Sequence, residues 1–161
     1  MKKIKLANGK SFALVDDEDY EELSQYRWNA QKWMRSRITY AQRSVRADGK
    51  RGVVLMHRQV MDAAKGSRVD HINHNGLDNR RCNLRFCTHS QNLRNSRKQK
   101  GTTSKYKGVI WDNQGNRWRA GASFKGKTVN LGSFRDEESA ARAYNDWLAE
   151  NAPEFGVFND V

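Results

Sequence analysis

The sequence is poor in the features that membrane-spanning and disulfide-stabilised proteins require. Its 161 residues include one proline and two cysteines, and no apolar run approaches the roughly 20 residues of a membrane span. Two cysteines, Cys82 and Cys87, cannot build the disulfide framework of a small secreted domain. These shortages argue against an integral membrane protein, a secreted mini-protein and a coiled coil. We therefore expect a cytoplasmic protein without a membrane partner.

Negative charge is scarce as well. The chain has 30 Lys and Arg against 18 Asp and Glu, a net charge of +12. Residues 31–135 carry all of the positive excess, whereas residues 136–161 hold one arginine and seven acids. A continuous basic stretch with acidic ends suits a protein that lies along a phosphate backbone. This pattern predicts double-stranded DNA as the partner.

Small polar residues replace proline at the expected module boundaries. A basic and then small stretch covers residues 97–104, and a turn signal covers residues 47–50. With a hydrophobic fraction of 37%, we expect small modules rather than one large core. The predicted modules are 1–52, 53–100 and 101–161, in an α+β fold. Four arginines of the β-rich first module would suit contacts with DNA phosphates: Arg35, Arg37, Arg43 and Arg46. A purely structural role for this module is equally consistent with the sequence.

The central segment predicts a strand, a loop, a strand and a helix within about thirty residues. Residues 68–71 and 83–87 have the character of β-strands, and turn-forming residues separate them. Thr88 and Gln91 form a capping-box pattern, which predicts a helix that begins at His89. Such a compact arrangement can bring distant polar side chains together.

Three of those side chains have the chemistry of a hydrolytic site. An Asp70 carboxylate and an Asn92 amide oxygen form part of an all-oxygen site for a hard divalent cation. A neutral His71 beside them can act as a general base. Phosphodiester hydrolysis needs a positioned water, a base and a metal ion at the leaving oxygen.

The same positions resemble the HNH motif of phage and intron homing endonucleases, in its H-N-N variant. His71 follows Asp70, Asn83 comes twelve residues later, and Asn92 nine residues after that. The resemblance extends over about residues 53–96, with support from Met56-His57-Arg58 and Leu84-Arg85. It implies a ββα-metal nuclease module in which His71 is the general base and Asn83 holds the loop and orients His71. It also implies that Asp70 and Asn92 bind one Mg²⁺ or Mn²⁺ ion.

Other metal chemistry is less favoured. Many members of that family carry histidine where this chain has Asn92, and an amide oxygen is a harder ligand than imidazole. We therefore expect Mg²⁺ or Mn²⁺ rather than Zn²⁺ or Ni²⁺. A structural zinc site could use the two cysteines with His74 or His89, but the sequence has no second C-x-x-C pair. Two reduced thiols are the preferred interpretation.

The C-terminal segment predicts a three-stranded antiparallel sheet packed on one helix. Strand signals cover residues 106–111, 117–124 and 127–134, and Asp136 caps the helix that follows. Alternation places the apolar residues of the second strand on one face and Arg117, Arg119 and Ser123 on the other. The polar, basic face would be free to meet a partner.

This segment resembles the ethylene-response-factor (Apetala-type) DNA-binding domain. The shared motifs are Tyr106-Lys107-Gly108-Val109, Arg117-Trp118-Arg119-Ala120, Leu131-Gly132-Ser133-Phe134, Glu138-Ser139-Ala140-Ala141-Arg142-Ala143-Tyr144 and Phe158-Asn159. The resemblance implies a sheet that lies in the major groove. The resemblance implies DNA contacts by Lys107, Arg117, Arg119, Ser123, Thr128 and Asn130. We add three basic residues near the linker as further candidate contacts: Arg94, Arg97 and Lys98.

Together these observations predict a site-specific DNA endonuclease of the homing or phage type. Its products would carry 5′-phosphate and 3′-hydroxyl ends. The alternative is a non-catalytic DNA-binding regulator that keeps the nuclease scaffold. The sequence is compatible with a monomer that nicks or a homodimer that cuts both strands.

Overall fold

The computed structural model describes residues 1–32, 38–98 and 101–161, and the chain folds as two compact units. The first unit is Met1–Cys87 and the second is Thr88–Val161. Helices and several small antiparallel sheets are present, which confirms the α+β class. The finer three-module division stays a prediction. None of the helices in the described part of the chain combines the length and apolar character that a membrane crossing requires.

In its described residues, the first unit contains seven strands and two α-helices. In chain order they are β1 (Lys2–Lys5), β2 (Phe12–Val15), α1 (Asp17–Ser24), β3 (Asn29–Lys32), β4 (Thr39–Ala47), β5 (Lys50–Leu55), α2 (Met56–Val60), β6 (Arg68–His71) and β7 (Leu84–Cys87). β1 pairs with β2, β6 pairs with β7, and β4 lies between β3 and β5. All of these pairs are antiparallel. The predicted first turn at residues 47–50 therefore joins two paired strands, β4 and β5.

One hydrophobic core connects the N-terminal strands to the central motif. Trp28 is fully buried at its centre, and its indole Nε1 donates to the Leu23 carbonyl at 2.8 Å. The same cluster includes Met56 and Val60 of α2 and Leu84 of β7. The N-terminal 52 residues thus share a core with the segment that carries Asp70 and His71, and they support its geometry.

The second unit begins with α3 (His89–Asn95), continues through β8 (Val109–Asp112), β9 (Arg117–Phe124) and β10 (Lys127–Phe134), and ends with α4 (Glu137–Asn151). The strand order is β10-β9-β8. The bounds of β9 and β10 match the predicted strands. The caps at Thr88 and Asp136 are present: Thr88 and Gln91 form both bonds of the capping box, and Asp136 accepts from the Ser139 amide.

α4 packs its small and aromatic residues against one face of this sheet. Ala140, Ala141, Tyr144 and Leu148 are buried there. β8 begins later than predicted because the chain bends at Gly108, where φ is +78°. An added Cβ at Gly108 would lie 2.1 Å from Tyr144 Cδ2. Only glycine therefore permits this approach between the strand entry and the helix.

Candidate active site

The β6–β7 ladder positions two of the predicted site residues. Asp70 pairs with Arg85 across the strands, and the adjacent His71 pairs with Leu84. Asp70 is 7% exposed and His71 is 3% exposed. A carboxylate and an imidazole are therefore buried side by side at the end of a short strand.

An ion pair compensates the buried carboxylate. The Arg85 guanidinium donates to Asp70 Oδ2 from Nη2 at 3.0 Å and from Nε at 3.1 Å. Burial of an ionised carboxylate without such a partner would be unfavourable. The pairing limits the rotamers that Asp70 can adopt.

His71 lies in a cluster of rings. Its centroid is 4.9 Å from that of His57 and 5.6 Å from that of Tyr40, and the latter two rings are 5.5 Å apart. Burial lowers the pKa of His71, while the Asn79 contact and nearby carboxylates partly oppose this shift. The imidazole is therefore neutral at neutral pH, as a general base requires.

A single amide contact distinguishes the two ring nitrogens of His71. Nε2 lies 3.4 Å from Asn79 Oδ1, which can only accept a hydrogen bond. This contact favours the tautomer with hydrogen on Nε2 and leaves Nδ1 as the basic nitrogen. Asn79 is fully buried, so its position is well determined by packing.

Asn83 connects both ends of the loop that follows β6. Its Oδ1 accepts from the Asn73 amide at 3.0 Å, and its Nδ2 donates to the Asp78 carbonyl at 2.7 Å. Its backbone carbonyl accepts from the Ile72 amide at 2.9 Å. These bonds hold the loop closed, whereas the predicted role of Asn83 in orienting His71 stays a prediction.

A second ion pair stabilises the same loop. Arg80 donates to Oδ1 and Oδ2 of Asp78, each at 2.7 Å, and Asn73 Nδ2 donates to Asp78 Oδ2 at 2.9 Å. The Asp78 side chain is 2% exposed. Hydrogen bonding to Arg80, opposed by burial and assisted by charge, holds the pKa of Asp78 below its usual value.

The segment before β6 contributes His57 and Arg58. Arg58 donates to the carbonyls of Ala63, Ala64 and Ser67, so it caps the turn that leads into β6. His57 is 6% exposed, and burial, followed by the nearby His71 and Arg58 charges, lowers its pKa to about 3. Among the described residues, none offers a hydrogen-bond partner to the buried Nδ1 of His57.

Comparisons with known proteins match the segment that carries these residues. A family model described as HNH endonuclease matches residues 54–94. An uncharacterized HNH endonuclease of Acanthamoeba polyphaga mimivirus is 38% identical over 93 residues, which are 58% of this chain and 47% of that protein. Protein 3.8 of Escherichia phage T7 is 35% identical over 82 residues, which are 48% of this chain and 68% of that protein. The chain therefore contains an HNH endonuclease domain.

The matched segments cover only part of this chain and of its relatives. The chain spans about half the length of the mimivirus HNH endonuclease. The HNH family model ends at residue 94, so the sheet of β8, β9 and β10 lies beyond it. No solved structure matches the chain.

Asn92, the last residue of the HNH pattern, lies on α3 in the second unit and is half-buried. Its convergence with Asp70 on one ion stays a prediction. Within residues 1–32, 38–98 and 101–161, no three His, Cys, Asp or Glu side chains are grouped to hold a metal. The oxygen donors of the HNH pattern, an aspartate and an amide, suit a hard cation that keeps water or phosphate as its remaining ligands.

The two cysteines near the HNH motif are free thiols. Cys82 is exposed and Cys87 is half-buried. Desolvation, with the Asp70 charge, raises the pKa of the Cys87 thiol. A raised pKa lowers the thiolate fraction, and the thiolate is the form that binds metal.

The C-terminal sheet places most of the predicted DNA contacts on one exposed face. Arg117, Arg119 and Ser123 of β9 and Thr128 and Asn130 of β10 are all exposed. Cross-strand pairs join Thr128 to Ser123 and Asn130 to Gly121. The alternation predicted from sequence is confirmed here, whereas DNA contact by these residues stays a prediction.

Lys107 and Arg94 are engaged within the second unit. Lys107 Nζ donates to the carbonyls of Arg94, of Leu93 at 3.3 Å and of Ser96 at 2.5 Å, at the C-terminal end of α3. Arg94 Nη1 lies 3.5 Å from the Ser123 carbonyl, and its guanidinium lies 5.5 Å from the Phe124 ring centroid. Arg97 is exposed and Lys98 half-buried.

The structure adds functional candidates that the spacing of the HNH motif does not reveal. Tyr40 contacts the imidazole of His71 from β4, 31 residues away, and Asn79 contacts its Nε2. In the sequence, only the Met56-His57-Arg58 run indicates that His57 belongs with the HNH motif. Of the four N-terminal arginines considered for phosphate contact, Arg35 and Arg37 lie outside the described residues.

Proposed function

We propose that the chain is a DNA endonuclease that hydrolyses phosphodiester bonds. The observation that carries this proposal is the buried, neutral His71 next to the buried Asp70 in the sequence, within a segment that matches the HNH family model. The net charge of +12 supports a polyanionic substrate. The similarity to the phage and mimivirus proteins supports the same class of enzyme.

In the proposed reaction, Nδ1 of His71 takes a proton from a water molecule as that water attacks phosphorus. Asn79 keeps the other ring nitrogen protonated, and Asn83 holds the loop that supports the imidazole. Asp70 and Asn92 would hold one Mg²⁺ or Mn²⁺ ion, which when bound supplies positive charge at the departing 3′ oxygen. The products are a 5′-phosphate and a 3′-hydroxyl.

We further propose that the C-terminal sheet selects the DNA site. Its exposed face combines the cationic side chains of Arg117 and Arg119 with the hydrogen-bonding groups of Ser123, Thr128 and Asn130. Arginines and short polar side chains on a β-surface can contact both phosphates and base edges in a major groove. The resemblance of this segment to the ethylene-response-factor domain supports the assignment.

One observation favours a second function, a DNA-binding regulator that does not cut. Asp70 Oδ2 accepts two hydrogen bonds from Arg85. A guanidinium at that position competes with a cation for the same oxygen. If Arg85 keeps Asp70 in every state of the protein, the HNH segment serves as a scaffold alone.

The deciding experiment incubates supercoiled plasmid DNA with the wild-type protein, His71→Ala and His89→Ala, in Mg²⁺, in Mn²⁺ and in EDTA. His89 is an exposed histidine outside the proposed machinery, so its variant controls for loss of an imidazole. We expect nicked or linear product from the wild type and His89→Ala, and at least a 100-fold slower reaction from His71→Ala, because a positioned base contributes about 10²–10⁴-fold.

Binding must be followed in parallel. Retained gel-shift binding by His71→Ala would separate lost chemistry from lost affinity. Binding without cleavage by the wild type, with either metal, would support the regulator instead. Ligation of the cut ends without prior phosphorylation tests for the 5′-phosphate and 3′-hydroxyl products.

A further inference from the structure

The β4–β5 hairpin presents two arginines that face each other. Arg46 of β4 pairs directly with Arg51 of β5, one step from a two-residue turn. The turn residues Asp48 and Gly49 have φ of 51° and 73°, the left-handed conformation of a tight hairpin. Both arginines are exposed, and Lys50 beside them is exposed as well. The tip of the hairpin is therefore strongly cationic.

Like charges placed directly opposite each other destabilise a β-ladder. In the described part of the chain, neither Arg46 nor Arg51 forms a hydrogen bond or an ion pair with a carboxylate. Arg43 differs: it lies 3.9 Å from the Tyr26 ring centroid and donates to Gln59 Oε1. The Arg43 guanidinium thus packs within the folded unit, whereas those of Arg46 and Arg51 have no such partner among the described residues.

The face that carries the two arginines also leads to the candidate base. Alternate residues of a strand share a face, so Tyr40, Gln42, Ser44 and Arg46 follow one another on the same side of β4. Tyr40 contacts His71 at the inner end. Ser44 and its cross-strand partner Val53 are exposed along the way, Val53 at 55%.

The distance along this face matches a length of DNA. Tyr40 and Arg46 are six positions apart on β4, which corresponds to about 20 Å of extended strand. At roughly 3.4 Å per base pair, this is about six base pairs of duplex. A duplex whose scissile phosphate lay at His71 would present further phosphates at the hairpin tip.

We propose that Arg46 and Arg51 form a phosphate clamp that grips duplex DNA about half a helical turn from the cut. An anionic phosphate between the two guanidiniums would relieve their mutual repulsion and accept hydrogen bonds from both. This proposal rests on the proposed nuclease function. It assigns substrate holding to the β4–β5 hairpin of the N-terminal region.

The test measures how duplex affinity depends on salt. A fluorescent random-sequence 40-base-pair duplex is titrated with the full chain in EDTA, at several NaCl concentrations, by anisotropy. Each lost phosphate contact flattens the plot of log Kobs against log[NaCl] by about 0.9. We expect the double variant Arg46→Ala/Arg51→Ala to flatten it by about 0.9, because the two guanidiniums hold one phosphate between them.

Two controls make the result specific. Lys3→Ala/Lys10→Ala removes two exposed charges from the same unit and is expected to leave the slope unchanged. Arg46→Lys/Arg51→Lys keeps the charge and is expected to restore the wild-type slope.

The outcomes distinguish this inference from the function on which it rests. Equal slopes for the two alanine double variants would overturn the clamp, even if the wild type binds and cuts DNA. Flattening seen with single-stranded oligonucleotide but not with duplex would also overturn it. A wild type that neither binds the duplex nor cuts plasmid would refute the proposed nuclease itself.

Discussion

The imidazoles of His57 and His71 meet edge to face, with ring centroids 4.9 Å apart and ring planes at 81°. His57 is buried and its pKa is lowered to about 3, and its Nδ1 has no hydrogen-bond partner in the part of the chain that the structure describes. It is therefore a neutral ring whose packing surface supports the candidate base, while one of its polar atoms is unsatisfied.

Substitutions of His57 should separate the ring from its nitrogens. His57→Phe keeps an aromatic surface and removes an unpaired buried nitrogen, so we expect a free energy of unfolding equal to or above that of the wild type. His57→Ala leaves a cavity and should lower it by about 2–4 kcal/mol. Urea unfolding measures both. If His57→Phe were as unstable as His57→Ala, the imidazole nitrogens would have to be satisfied by bound water.

Acid should destabilise the fold through Asp78. Its pKa is lowered in the folded state from 3.8, so the unfolded chain takes up the proton first as the pH falls. Its stabilising contribution is complete above about pH 4 and is lost as the pH falls through the lower, folded-state pKa. Asp78→Asn should lower the free energy of unfolding at pH 7 by about 1.5–3 kcal/mol.

The corresponding measurement is urea unfolding of wild type and Asp78→Asn at intervals from about pH 2.5 to 7, a range that spans the titration of the carboxyl group. The stability difference between the two proteins should shrink towards low pH. A difference that stayed constant over this range would mean that the Asp78–Arg80 pair does not titrate with folding.

Asn83 should contribute to stability and to cleavage both as a hydrogen-bond donor and as an acceptor. Asn83→Asp keeps an acceptor for the Asn73 amide but places a carboxylate oxygen against the Asp78 carbonyl, which Nδ2 now contacts at 2.7 Å. We expect a loss of about 1–3 kcal/mol in unfolding free energy and slower plasmid cleavage with DNA binding retained.

Asn75→Asp is the matched control for that change. Asn75 is exposed and uses its Oδ1 to accept from the Leu77 amide, a role that a carboxylate can keep. The control should unfold and cleave like the wild type. Equal damage from the two substitutions would point to added negative charge in the loop rather than to the lost Nδ2 bond.

Gly108 and Gly126 give a matched pair in the second unit. Their φ values are +78° and +77°, but an added Cβ at Gly108 would lie 2.9 Å from the Gly121 carbonyl as well as against Tyr144, whereas at Gly126 nothing lies within 4 Å. Gly126→Ala should lose about 1–2 kcal/mol from backbone strain alone. Gly108→Ala should lose clearly more, or prevent folding of this unit; similar losses would contradict the packing described for α4.

Local patterns in the sequence predicted local structure well. Strict alternation between two turn signals gave the bounds of β9 and β10, and the Thr88–Gln91 pair predicted where α3 begins. These features depend on neighbours a few residues apart. The α+β class and the central strand-loop-strand order follow from the same kind of information.

The remaining features depend on packing between distant segments. The ring cluster around His71 joins Tyr40, His57 and His71 from three different elements. From the sequence alone, Arg43 and Arg46 are equally suited to contact a phosphate. The structure places the Arg43 guanidinium over the Tyr26 ring. No spacing in the chain distinguishes a cation that packs from one that projects, because that depends on which face of β4 the core covers.

The bonds from Lys107 to the end of α3 bear on how the chain can be dissected. A fragment that stopped near residue 100 would include all of α3 but would lose the ammonium that neutralises its terminal carbonyl dipoles. Within such a fragment the last helical turn, which begins at Asn92, would fray. Expression boundaries for an isolated catalytic fragment should therefore extend beyond the sheet, through α4.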